Sequence, residues 1–200
     1  MNTATNEVYP VRAGRRIRAA RGFTLVELMV TLLVLAILLG LAVPSFRDAA
    51  LSSRLTGYAN DLVASVQIAR SEAIKRNATV TLCASTDGST CEEDVGWEVG
   101  WIILAPRQET VPALDPDDPP VVTTVMDVVD RHAPLTDEFI IAESSGITEM
   151  DFPPTVVGVT AATFTVCRES PVGKQEREVS VTLTGATAVT QTQNEECPPN

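Results

Sequence analysis

Between residues 23 and 43 the chain reads FTLVELMVTLLVLAILLGLAV, twenty-one residues with a single charge, Glu27. At ~1.5 Å of rise per residue, a helix of that length crosses a hydrocarbon core of ~30 Å, so the stretch predicts a membrane-spanning helix. After Pro44 the pattern changes but does not stop. Ala50, Leu51, Leu55, Tyr58, Leu62, Val66, Ala69 and Ala73 recur at three- and four-residue spacing from 45 to 76, which makes one apolar stripe on an amphipathic helix. A continuous helix is therefore expected across both stretches, kinked at Pro44, where proline removes a backbone hydrogen bond and crowds the preceding turn. Glu72 and Arg76 stand four apart and pair on its last turns, and Asn77 ends it.

Beyond Asn77 the three- and four-residue spacing gives way to short runs rich in β-branched residues at 79–84, 97–105, 121–129, 147–152, 162–167, 178–183 and 187–192. These predict strands. The run WEVGWII at 97–103 is the most apolar of them and is expected at the centre of a sheet, with Trp101 in the core. The stretch PRQETVPALDPDDPP at 106–120 is rich in proline and acid and predicts an exposed loop. About 120 residues suffice for one small domain and not for two. The expected fold class is α+β, with the helical stripe packed on one or two antiparallel sheets. The segments are then a basic leader at 1–22, a transmembrane helix at 23–43, an amphipathic helix at 44–77 and a β-rich domain at 78–200.

Charge gives the chain a direction. Residues 1–22 carry five arginines against one acid, Glu7, and basic residues beside a first apolar segment hold that side in the cytoplasm, which sends everything after Pro44 across the membrane. Loss of the leader would take the formal net charge from −11 to −15. Most of the negative charge lies at 87–151, where sixteen acids face only Arg107 and Arg131, a balance that repels phosphate backbones and anionic surfaces. Asp115, Asp117 and Asp118 do not predict a calcium site, because calcium takes six to eight oxygens from a converging turn and prolines straighten this segment.

Cys83, Cys91, Cys167 and Cys197 allow three pairings, and no CxxC spacing suggests zinc. In an oxidising compartment disulfides are favoured. Cys83 with Cys91 would close a hairpin about Asp87-Gly88, and Cys167 with Cys197 would pin the carboxy-terminal segment. Catalysis has little to draw on. His132 is the only histidine, it is placed in a loop by the adjoining Ala133-Pro134, and neither a nucleophile signature, a phosphate-binding glycine loop nor a metal-ligand cluster is present. No enzyme activity, cofactor or metal is expected.

A carboxylate inside an apolar span is unfavourable by about 2.5 to 3.5 kcal/mol, so Glu27 calls for a partner. An ordinary cleaved signal peptide, with Gly40-Leu41-Ala42 as its processing site, has an apolar centre of only ~7 to 15 residues and leaves the acid unexplained. A plain signal anchor leaves unexplained the spacing of Gly22 and Glu27. Arg21-Gly22 followed by Phe23-Thr24-Leu25-Val26-Glu27, with arginines upstream and Pro44 closing the span, resembles the class III signal of type IV pilins and pseudopilins. That resemblance implies cleavage after Gly22 by a prepilin peptidase, methylation of the new terminus at Phe23, and neutralisation by Glu27 of a neighbouring subunit's terminal amine during filament assembly.

Further positions are similar to the GspH/FimT family of minor pilins and pseudopilins: Val43-Pro44-Ser45-Phe46-Arg47, Ala69 through Asn77, Thr81-Leu82-Cys83 and Gly96-Trp97 through Ile102. The likeness implies a structural subunit of a type IV pilus or type II secretion pseudopilus, anchored in the inner membrane with its globular part in the periplasm, partnered by the peptidase and other pilins. Some members of that family bind DNA through a carboxy-terminal Gly-Arg-x-Arg motif. Here the matching positions read Gly185-Ala186-Thr187-Ala188, so the alternative of a DNA- or surface-binding tip subunit is disfavoured. Ala36, Gly40 and Ala42 would allow close helix approach, a weak signal in a lipid helix.

Overall fold

The computed structural model describes residues 22–111, 120–136, 139–155, 157–168, 176–192 and Cys197. One long helix, α1, runs Leu25–Arg76, and helical structure continues through Pro44. Its first turn is capped by Thr24, whose Oγ1 accepts from the Glu27 amide at 3.2 Å. Its end is a Schellman turn: Asn77 adopts a left-handed φ of 49°, the Ala78 amide reaches back to the Ala73 carbonyl at 3.2 Å and the Asn77 amide to Ile74 at 3.4 Å. The chain divides into two units, Met1–Phe46 and Arg47–Asn200.

Among the described residues of the second unit eight strands follow the helix: β1 Val80–Ala84, β2 Trp101–Val111, β3 Val121–His132, β4 Phe139–Glu143, β5 Glu149–Phe152, β6 Ala162–Arg168, β7 Glu176–Val181 and β8 Thr187–Thr192. They form two four-stranded sheets, ordered β3-β2-β1-β5 and β4-β6-β7-β8, with every pairing antiparallel. Both sheets feed one core with the stripe of α1. Leu55, Ala59, Leu62, Val66, Ala69 and Ala73 are buried there together with Leu82, Trp97, Trp101, Ile103, Ile141, Phe152, Phe164 and Val179. Ala50, expected on the stripe, is exposed, and burial begins with half-buried Leu51.

Five features depart from the sequence pattern. First, Trp97–Val99 is a single 3₁₀ turn and not the start of a strand. Gly100 ends the turn at φ 106°, where a Cβ would lie 2.7 Å from the His132 carbonyl oxygen; the turn lets both tryptophans enter the core, each with its ring N–H satisfied, by the Ile147 carbonyl and the Ser65 hydroxyl respectively, both at 2.8 Å. Second, β2 runs on through Pro106 to Val111 into the segment expected to be loop. The Pro106 carbonyl accepts from Arg76 Nη1 at 3.5 Å, so this residue's backbone faces away from β3, and a missing N–H there breaks no bond in that ladder. Residues 112–119 of the expected loop, with Asp115, Asp117 and Asp118, lie outside the described residues, as do residues 1–21 of the leader.

Third, β4 has no counterpart among the expected strands. FIIAE is a short run without alternation that follows two acids, Asp137 and Glu138, and only its buried pairing with β6 makes it a strand. Fourth, β3 reaches His132, so this histidine ends a strand and does not sit in a loop. Fifth, β7 begins two residues earlier than the pattern predicts, because Glu176 and Arg177 are polar residues that are nevertheless buried.

Candidate functional site

The amino-terminal segment carries the first set of predicted site residues. Gly22 and Phe23 precede α1 in non-helical backbone, and Phe23 is 81% exposed. Thr24 caps, and Glu27 is the third helical residue, so Thr24-x-x-Glu27 has the spacing of a capping box. The side chain of Glu27 joins no ion pair among the described residues. From Leu25 to Val43 every large apolar side chain is exposed. This helix has the length and composition to cross a membrane, and a face of this extent, apolar all round, requires lipid or other helices to cover it. At Gly40 an added Cβ would meet nothing within 4 Å. Pro44 is helical.

In the second unit the structure joins Cys83 to Cys91 and Cys167 to Cys197, with Cα separations of 5.5 and 5.8 Å. Inside the first loop the Asp87 carboxylate accepts from the Ser89 amide at 2.7 Å, the Thr90 amide at 2.9 Å and the hydroxyls of Ser85, Ser89 and Thr90. The Ser89 hydroxyl, then the Thr90 and Ser89 amides, hold the Asp87 carboxyl far below the usual carboxylate range. Arg131 Nε donates to the Gly88 carbonyl at 2.6 Å, tying this loop to β3.

His132 sits in a joint that sequence reasoning missed. Its ring stacks on Trp101 with centroids 3.8 Å apart and planes 4° from parallel. Its Nε2 is 3.3 Å from Asp61 Oδ2 and its Nδ1 2.8 Å from the Ala133 carbonyl. Ser65 accepts from Trp101 and donates to the Asp61 carbonyl at 3.0 Å. The available signal was Asp61 and Ser65, four apart beside the helical stripe, which puts both at the seam with the sheet. This arrangement uses the histidine to fasten β3 to α1. Among the described residues no group of three or more His, Cys, Asp or Glu is placed to hold a metal.

The positions corresponding to the DNA-binding motif form the β7–β8 turn. Gly185 has φ 71°, its amide donates to the Thr182 carbonyl at 2.7 Å, and Thr187 and Ala188 open β8. A hollow of about 330 Å³ beside it is lined by Gln67, Arg70, Ser71, Ile74 and Gly185 to Thr187. Arg70 is the only base in that lining, and its Nη1 donates to the Thr184 carbonyl.

Comparison with known proteins places these features in a family. Residues 58–186 match the family described as Type II transport protein GspH, and residues 17–43 match the prokaryotic N-terminal methylation motif. Pilin-like protein PilA1 of Thermus thermophilus is 45% identical over 69 residues, 34% of this chain and 43% of that protein. Type II secretion system protein H of Pseudomonas aeruginosa PAO1 is 42% identical over 60 residues, 30% of this chain and 35% of that protein. The matched stretches thus span less than half the length of these relatives. Two crystal structures of the type IV minor pilin FimU of P. aeruginosa PAO1 are matched in part. One covers 72% of this chain and 96% of its own at 18% identity with TM-score 0.49, and the other covers 70% and 98% at 20% identity with TM-score 0.46.

Proposed function

Since this chain belongs to the GspH family and is a pilin-like structural subunit, we propose that it is a minor pilin or minor pseudopilin, processed after Gly22 and assembled through α1 into a pilus or pseudopilus. The supporting observation is the uncovered apolar run of α1, which contains an acid in its first turn and no cation to answer it among the described residues. A carboxylate at membrane depth without a partner is costly, and the amine of a processed neighbouring subunit is a cation delivered to that depth. Glu27 is therefore the assembly residue, residues 23–43 supply helix packing, and the second unit faces the periplasm and other subunits. We place the chain in the inner membrane before assembly, as a single-pass protein with a cytoplasmic leader.

Mass spectrometry of the mature amino terminus tests this reading. It predicts a chain that begins with N-methylated Phe23. A chain that begins at Val43 would assign the apolar run to a discarded signal peptide and end the proposal. The family-level alternative, a DNA-binding tip subunit, has no arginine at Ala186 or Ala188, and phosphate contacts need such charge. Duplex DNA is expected not to bind at physiological salt; micromolar affinity in an anisotropy titration would restore that alternative.

A further inference from the structure

At twelve residues β3 is the longest of the described strands, and it lies at an open edge of its sheet among them. Long apolar edges template pairing with another chain, and proteins ordinarily shorten, charge or cover them. The other sheet edges are shorter: β5 has four residues, β4 has five, and β8 has six, mostly polar, reading TAVTQT. β3 reads VVTTVMDVV from 121 to 129, with Val121, Val122 and Met126 exposed.

This stretch has nearly the same pattern read from either end. Val121-Val122 answers Val129-Val128, Thr123 answers Asp127, Thr124 answers Met126, and Val125 stands at the centre. An interface between two identical strands related by a twofold axis needs that symmetry, because each position must suit its mirror position. Running antiparallel about Val125, a second copy would bring valine to valine at both ends, threonine to Asp127, and no like charges face to face. A register centred two residues later would oppose Asp127 to Asp127 and is disfavoured.

The backbone agrees with this register. Pro106 stands opposite Met126, and its carbonyl is turned away from β3, toward Arg76. The pair is therefore of the non-hydrogen-bonded kind, and Met126 also turns its N–H and C=O away from β2. By alternation the same holds for Val122, Thr124 and Val128. In the twofold register these outward residues meet one another, Val122 with Val128 and Thr124 with Met126, so every free donor and acceptor on the central edge finds a partner. We propose that β3 is a docking edge for a second copy of this chain, joining two β3-β2-β1-β5 sheets into one.

Cysteine substitution in the full-length protein, in native membranes under mild oxidation, tests the register directly. The central Val125 residues would form a narrow, non-hydrogen-bonded pair with Cα atoms ~4.5 Å apart, within disulfide reach. Val125→Cys is expected to give a covalent dimer on a non-reducing gel, whereas Val128→Cys, whose two copies lie six positions apart across the axis, is expected to stay monomeric. Adding Thr124→Pro to Val125→Cys removes an outward N–H that β2 does not use; the cross-link should fall to the Val128→Cys level while thermal unfolding stays near that of Val125→Cys alone. A folded, alkylatable Val125→Cys that stays monomeric, or a cross-link indifferent to Thr124→Pro, would overturn the proposal. A cross-link that persists in a Glu27→Gln background would separate this edge from filament assembly through α1.

Discussion

Asp87 shows how much a single side chain organises here. Five donors converge on its carboxylate inside the Cys83–Cys91 loop, the Ser89 hydroxyl first among the causes that depress its proton affinity. A group depressed in the folded state adds stability above its unfolded value of ~3.9 and loses it as pH falls toward the folded value. The Tm advantage of the wild type over Asp87→Asn should therefore be full at neutral pH and narrow as pH is lowered below about 4. Ser65 and Gly100 are held by different physics. Ser65→Ala strips the acceptor from the buried Trp101 ring N–H, a loss of about 1 to 3 kcal/mol. Gly100→Ala would drive a Cβ into the His132 carbonyl at a positive φ, at about 1 to 3 kcal/mol. Denaturant titration of the whole chain in detergent reads both.

The helix and the two disulfides dominate at the scale of elements. Leu62, fully buried on the stripe of α1, is expected to cost about 2 to 5 kcal/mol when changed to alanine. The Cys167–Cys197 bond closes 30 residues and Cys83–Cys91 only eight, so chain entropy assigns them ~3.6 and ~2.5 kcal/mol. Replacing the first pair with serines should therefore lower the denaturation midpoint more than replacing the second. The helical stripe was legible because 3.6-residue spacing repeats over many turns and survives a misplaced residue such as Ala50. Seven of the eight described strands were legible from β-branched content, although the run at 97–105 opens as a 3₁₀ turn. What could not be read was set by pairing partners distant in sequence: Pro106 is tolerated because its ladder side is open, β4 exists because β6 lies beside it, and Trp97 turns aside to reach a carbonyl fifty residues away. The His132 joint was illegible for the same reason, since nothing local links it to Asp61 or Trp101.

For the whole molecule, two kinds of surface set behaviour. The apolar face from Leu25 to Val43 is exposed throughout, while the charge of the chain is −11, so the helix seeks lipid or other helices and the acidic remainder stays solvated. The resemblance of Arg21 through Glu27 to a processing signal was readable from sequence because the pattern is local, and residues 17–43 match the N-terminal methylation motif. Glu27 carries the central claim, that a neighbouring subunit's amine answers this carboxylate. Quantifying the chain in filaments sheared from cells that express Glu27→Gln, with equal membrane levels of wild type and variant, tests it most directly. The account predicts that the variant is retained in the membrane and lost from the filament fraction; incorporation equal to wild type would contradict it.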